Sequence, residues 1–140
     1  MSLYLDASVL VALFTEDPFA SQADRFLRES ASVVVVSDFA VAEFASVIGR
    51  HFRKKNITQR EARIAFATFD SWAARVAQRV EIAAADVKAA EAFLRRLDLT
   101  LRAPDAINIA IAQRIGAGLF TFDRAMIKCA RTLGMHIAGT

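Results

Sequence analysis

Apolar residues in this chain come in two textures. Short, near-continuous runs at 3–5, 33–36 and 119–122 read as buried strands, and the four valines at 33–36 are β-branched residues that suit a sheet covered on both faces. Elsewhere apolar residues recur at the three- and four-residue spacing of amphipathic helices. A helical turn is predicted over 9–14, stopped near Thr15 and Glu16. Asp17 and Pro18 then read as an N-cap and first helical position for a helix over 19–28. Ser37 or Asp38 caps a helix running to about Arg53, and residues 54–57 form a polar break. Thr58 and Glu61 make a capping box for a helix through 76. A short strand at 79–82 follows, then a helix capped by Asp86 to about Leu99, and another over 104–115 ended by Gly116 and Gly118. Asp123 caps a helix to about Leu133, and 135–137 is a last short strand. Strands alternating with helices predict an α/β fold, a three-layer α/β/α sandwich around a central, mainly parallel sheet, with residues 1–140 forming one domain.

Composition narrows the class. Hydrophobic residues make up 55% of the chain, with two prolines and five glycines, which excludes a linker-rich or disordered protein. No apolar run reaches membrane-spanning length, and residues 1–6 lack the basic and apolar pattern of a secretion signal. A lone cysteine, Cys129, forbids an intrachain disulfide and suits a reducing compartment. A cytoplasmic protein without membrane contact is expected. The net charge of +3, from 18 basic and 15 acidic residues, is a mild excess. Its distribution says more, because Arg50, Arg53, Lys54, Lys55, Arg60 and Arg63 crowd one short stretch. That cluster suits either a solvated helix end or a surface that guides nucleic acid.

Four acids stand at the ends of apolar segments or inside them: Asp6 after 3–5, Glu43 within 41–48, Asp105 after Ala103 and Pro104, and Asp123 after 119–122. Carboxylates near a core cost free energy unless compensated. In parallel sheets ligands bind beyond the carboxyl ends of the strands. Asp6 and Asp123 belong at that edge, and Asp105 lies in the first turn of its helix. Glu43 shares a mainly apolar stripe with Phe39 and Val47, so it needs a partner. Each acid also has a plain alternative: Asp123 as an N-cap, Asp105 as a charge favoured at a helix start, Asp6 bonded to Ser8, and Glu43 facing solvent if the helix is phased differently. If they converge, their repulsion calls for a hard divalent cation. With no His or Cys at ligand spacing, that cation is Mg²⁺ or Mn²⁺ in preference to zinc. Such ions take phosphate oxygens and activate water. Together with the basic cluster, this points to phosphodiester hydrolysis.

The segments Asp6-Ala7-Ser8, Glu43 in its helix, Pro104-Asp105-Ala106 and Thr121-Phe122-Asp123 resemble, in order and spacing, the PIN-domain ribonucleases. Length and layout are similar to the VapC toxins of toxin–antitoxin pairs. The resemblance implies a PIN-like fold and a Mg²⁺- or Mn²⁺-dependent endoribonuclease, usually a homodimer, that cuts RNA and is inhibited by a small cognate antitoxin. It implies that Asp6, Glu43, Asp105 and Asp123 hold metal, directly or through water, and that Ser8 and Thr121 orient Asp6 and Asp123. Asn108 stands one turn after Asp105, either as a further supporting residue or as an ordinary amide. Arg102 and Arg124 flank the proposed site and, with Arg50 and Arg53, are candidate RNA contacts.

Other residues carry less. His51 and His136 are isolated, and Cys129 reads as a small hydrophobe. Phe66, Phe69 and Trp72 suit a core or a dimer surface. The helix over 39–52 has a second apolar stripe, Val41, Phe44, Ile48 and Phe52, open to a neighbouring helix or a second chain. A receiver-type phosphorylation module lacks its paired acids and late lysine here, and a haloacid-dehalogenase-like phosphatase would need an aspartate where Ser8 stands. A stand-alone nuclease, or a catalytically silent RNA- or protein-binding module of the same fold, is the alternative to the toxin.

Overall fold

The strand pattern resolves into β1 (Ser2–Leu5), β2 (Val33–Ser37), β3 (Ala77–Val80) and β4 (Gly118–Phe120) in a computed structural model that describes residues 1–139. Side chains of β1 alternate between two cores, Leu3 and Leu5 entering one and Tyr4 the other, as the two-residue period of a strand requires. Leu119 and Phe120 of β4 divide in the same way. Both faces are therefore covered by helices. On one side lie α1 (Ala7–Phe14), α2 (Ala20–Glu29), α3 (Asp38–Arg53) and α4 (Gln59–Val76), which contribute Val9, Leu10, Ala23, Phe44, Ile48 and Phe69. On the other lie α5 (Ala84–Arg95), α6 (Ala103–Arg114) and α7 (Arg124–Thr132), with Ile109, Ile111, Met126 and Cys129 buried. The result is the expected three-layer α/β/α sandwich.

The sheet order is β3-β2-β1-β4 and every pairing is parallel. From β1 the chain winds outward to β2 and β3, then returns to add β4 on the opposite side. The winding thus reverses between β1 and β4, where a crevice opens beyond the strand ends. Among the described residues no helix is long and apolar enough to cross a membrane.

Local chemistry sets most boundaries. Ser37 caps α3 by accepting the Ala40 N–H at 2.9 Å, and Thr58 with Glu61 forms the expected capping box on α4. Gly116, at φ +68°, turns the chain out of α6 in a conformation that costs glycine little.

Several boundaries differ from expectation. Asp17 does not cap a helix at Phe19: its carboxylate accepts the Phe19 N–H at 2.8 Å within a turn, and α2 starts at Ala20. The strand expected at 79–82 pairs two residues earlier, because its register is set by β2, Val34 opposite Ala77. Asp86 is the third residue of α5, not its cap, and Leu97 at φ +66° ends that helical path before Leu99. The last strand shrinks to one bridge, Leu119 to Ile137. Val33 is 44% exposed, so the valine run is buried only from its second residue.

Phe69 and Trp72 belong to the first core's aromatic group around Phe14, with ring centroids 5.6 and 5.4 Å from it. Of the second α3 stripe, Phe44 and Ile48 are buried in that core and Val41 packs against it, while Phe52 is 42% exposed.

Asp86 is buried on the second side, where Arg114 donates to it through Nε at 2.7 Å and Nη2 at 3.0 Å. The Ala83 N–H adds a third bond at 2.7 Å. Burial alone would raise the Asp86 pKa, but these hydrogen bonds and the guanidinium charge outweigh it and hold the carboxyl below its ordinary value.

Candidate active site

Asp6 leaves β1 and becomes the N-cap of α1, its Oδ1 accepting the Val9 N–H at 3.3 Å. The Ser8 hydroxyl donates to the same oxygen at 2.6 Å, and the Thr121 hydroxyl donates to Oδ2 at 2.6 Å. Thr121 follows β4 and also accepts the Asp123 N–H at 3.0 Å, while Ser8 accepts the Phe122 N–H at 3.0 Å. These bonds tie the ends of β1 and β4 together. Asp123 caps α7 through the Met126 N–H at 3.1 Å. Asp105, third residue of α6, accepts the Arg102 N–H at 3.3 Å. The cap expected of Asp123 and the Ser8 bond expected of Asp6 are both present, and they coexist with a place in the cleft.

Glu43 faces inward from α3. Its Oε1 accepts from Asn108 Nδ2 at 2.6 Å, and the same nitrogen donates to the Pro104 carbonyl at 3.0 Å. The buried Tyr4 hydroxyl donates to Asn108 Oδ1 and lies 2.7 Å from Ser37 Oγ. Since Tyr4 spends its proton on Asn108, Ser37 supplies the proton between the two hydroxyls. Asn108 is therefore fully bonded, with its amide aimed at Glu43.

Asp6, Glu43, Asp105 and Asp123 line one cleft of about 410 Å³, together with Ser8, Asn108, Asp17, Val47, Phe19 and Phe122. It lies at the switch point between β1 and β4. Among the described residues no Lys, Arg, His or Cys lines it. A larger cavity of about 590 Å³, between the end of α1 and the start of α4, holds Glu16 and Glu61 but none of the four acids. The Arg candidates sit outside the cleft. Arg102 is an exposed rim residue 3.8 Å from Asp105, and Arg124 is exposed at the start of α7. Arg50 and Arg53 lie exposed at the far end of α3.

The electrostatics express crowding. Burial pushes Asp6 up to about 6 against its three hydrogen bonds, and the charge of Asp123 adds to the rise. Burial also raises Glu43, helped by Asp6 and Asp105, and raises Asp105, helped by Asp123. Each of the four carboxylates thus feels or exerts the field of another. Among the described residues, however, no three Asp, Glu, His or Cys groups stand close enough to hold a metal ion as they are. An all-oxygen donor set spread around a cleft fits a hard cation that keeps several of its waters, contacted directly by few carboxylates and by the rest through water. It does not fit a closed, fully protein-ligated centre.

Sequence reasoning missed Asp17, Phe19 and Phe122 as cleft residues and Tyr4 as the support of Asn108. A signal existed for Tyr4, the only tyrosine of the chain, whose hydroxyl would need a partner in a buried strand. Asp17 and Phe19 reach the cleft through the turn after α1, which no local pattern announces.

Fold and cleft define an α/β protein with an acid-lined crevice at the sheet's switch point. The profile of the PIN domain family matches residues 3–131, and the chain belongs to that family. It is 32% identical over 139 residues to "Ribonuclease VapC46" of Mycobacterium tuberculosis, covering 97% of this chain and 95% of that protein. It is 29% identical over 128 residues to "Ribonuclease VapC3" of Pyrobaculum aerophilum, covering 91% and 94%. The crystal structure of Mycobacterium tuberculosis VapC20, described as a sarcin-ricin loop cleaving toxin, superposes with a TM-score of 0.74 over 96% of both chains. At 23% identity that likeness speaks for the fold.

Proposed function

We propose that this protein is a divalent-metal-dependent endoribonuclease that acts as the toxin of a toxin–antitoxin pair. The observation that carries this is the cleft at the switch point, where Asp6, Glu43, Asp105 and Asp123 gather, with Asp17 as a fifth acid and no cationic side chain among the described residues lining it. Membership of a family whose relatives here are named ribonucleases gives that cleft its chemistry. Asp6, Glu43, Asp105 and Asp123 hold Mg²⁺ or Mn²⁺, directly or through water. The chemistry such a cation supplies when bound is polarisation of a phosphate oxygen and a more acidic water.

The protein's own part is to orient these acids. Ser8 and Thr121 hold both oxygens of Asp6 in place, and Asn108 does the same for Glu43 Oε1. These bonds leave the remaining lone pairs for the cation and its waters. Burial raises Asp6 to about 6, and it is the ionised form, which a bound dication would favour, that would serve as a ligand. Arg102, Arg124, Arg50 and Arg53 lie exposed around and beyond the cleft, where they steer the RNA backbone without entering the reacting centre. A toxin of this kind requires a neutralising partner, so a small cognate antitoxin belongs to the reading, as do a homodimer and a one-domain chain.

The test is cleavage of a structured RNA by purified protein in Mn²⁺ or Mg²⁺. Cutting should stop with EDTA, and Asp6→Asn should lose roughly a thousandfold in rate, the equivalent of several kcal/mol of transition-state stabilisation. Equal cutting by wild type and Asp6→Asn would assign the activity to a contaminant and leave the chain a silent module.

A further inference from the structure

The cleft has one wall that the carboxylates do not explain. Phe19 and Phe122 line it side by side, ring centroids 4.5 Å apart and only 12° from parallel. Phe122 in turn packs edge-on against Phe120 at 5.3 Å, and Phe120 is buried in the first core. The pair is therefore anchored from below. Phe19 is nonetheless 44% exposed, although one ring face is covered by Phe122.

The backbone holds that ring in place. Asp17 accepts the Phe19 N–H through its side chain at 2.8 Å and the Ala20 N–H through its carbonyl at 3.0 Å. Pro18 fixes the φ angle between them. A large apolar ring kept half in water at the mouth of a charged cleft, on a turn this constrained, is a fixed stacking surface beside the acids.

The described lining of the cleft offers an RNA strand no cationic side chain, so this wall has no ionic grip of its own on a phosphate. A nucleobase brings an uncharged π face instead, and stacking on an aromatic ring is tolerant of sequence. Resting on the ribonuclease reading above, we propose that Phe19, backed by Phe122, is the stacking platform for one base next to the bond that is cut. The metal-facing acids then handle the phosphate while this ring sets where along the strand the phosphate falls.

The test uses an RNA oligonucleotide spanning a cut site mapped with the wild-type enzyme, remade with an abasic residue at each flanking position in turn. One abasic position should raise the wild-type KM about tenfold, as expected for one lost stacking contact, with kcat much less affected. Phe19→Leu, checked for an unchanged melting temperature, should raise KM on intact RNA by a similar factor and respond little further to that abasic lesion. Phe19→Trp should restore both the KM and the sensitivity to the lesion. If no flanking abasic position changes the wild-type KM, the platform is overturned without any variant. It is equally overturned if the lesion and Phe19→Leu simply multiply, or if Phe19→Leu cuts intact RNA as wild type does. The exposed ring then belongs to a protein neighbour. Those results leave the nuclease standing, whereas a wild type that cuts no RNA in either metal overturns both.

Discussion

Among the described residues two carboxylates are almost wholly withdrawn from solvent, Asp86 and Asp6, and they have opposite electrostatics. Asp86 is answered by a bidentate guanidinium from Arg114, and its pKa is lowered. Asp6 is answered only by hydroxyls and one backbone N–H, and its pKa is raised to about 6. Asp86 is neutralised within the chain, as a buried charge in a finished structure must be. Asp6 stands among further acids with no cation lining the cleft, so its neutralising charge must arrive from outside. The contrast separates an acid that holds helices together from one proposed to hold a cation, even though both sit near a helix start.

Removing the internal pair has the largest effect on stability. Asp86→Ala leaves Arg114 with only the Glu81 carbonyl, at 3.0 Å, and strips the Ala83 N–H of its acceptor. Arg114 keeps 37% of its side chain in water, so the loss is that of Asp86's charge-assisted hydrogen bonds, about 2–3 kcal/mol, or a drop of roughly 6–10 °C in melting temperature for a chain of this size. Per-molecule RNA cleavage below that temperature should be unchanged, because Asp86 is not among the cleft residues. A loss of cleavage in folded Asp86→Ala would break the distinction between the two sites.

The second effect has the opposite sign. Asp6 has a folded-state pKa of about 6 against an ordinary 3.8, so its protonated form is the one the metal-free fold prefers. Its favourable contribution is complete below about pH 3.8 and is lost as pH rises through about 6. At pH 8 in EDTA the ionised group is a burden, and Asp6→Asn should stabilise the protein by about 2 kcal/mol. The amide keeps an oxygen for Ser8 and Val9 and offers Thr121 an N–H, so the hydrogen-bond count survives. Calorimetric melts should show the gap closing towards pH 4. Adding Mg²⁺ or Mn²⁺ at pH 8 should raise the wild-type melting temperature by mass action and move Asp6→Asn much less. An Asp6→Asn protein less stable than wild type at pH 8 in EDTA would mean that Asp6 is a structural acid like Asp86.

The sequence carries these two sites unequally. The helix starts at Ser37 and Thr58, and the acids at the ends of the first and last strands, could be read directly because capping and strand termination are local chemistry. Even Glu43 was visible, as a charge on an apolar stripe. Asp86 was read as a cap because its tie to Arg114 joins two helices and leaves no trace in either segment's pattern. The same holds for the end of α5, which depends on Leu97 taking a left-handed conformation, and for the register of β3, which β2 dictates. Asp17, Phe19 and Phe122 were out of reach for a related reason. They meet only once the turn after α1 has folded across the end of β4, and such packing is decided by the whole core.

The smallest effect tests whether the cleft's support is as free of cationic side chains as its described lining. Beneath Glu43 run Asn108, Tyr4 and Ser37, three uncharged groups whose protons can be ordered in only one way. Tyr4 is raised well above its ordinary pKa, by burial first and by nearby acids after that, so it stays a neutral donor throughout the working range. Tyr4→Phe keeps the ring in the second core but leaves Asn108 Oδ1 without its donor and Ser37 without an acceptor. The expected cost is about 1–2 kcal/mol of stability. Asn108 is then free to rotate its amide, and Glu43 loses a fixed partner. RNA cleavage should fall a few-fold in kcat with KM unchanged, and more Mn²⁺ should be needed for half-maximal rate. A stability loss with unchanged metal requirement would make the row a packing feature, whereas a shifted requirement would show that Glu43 is positioned through this neutral hydrogen-bonded row, with no direct guanidinium partner of the kind Asp86 has.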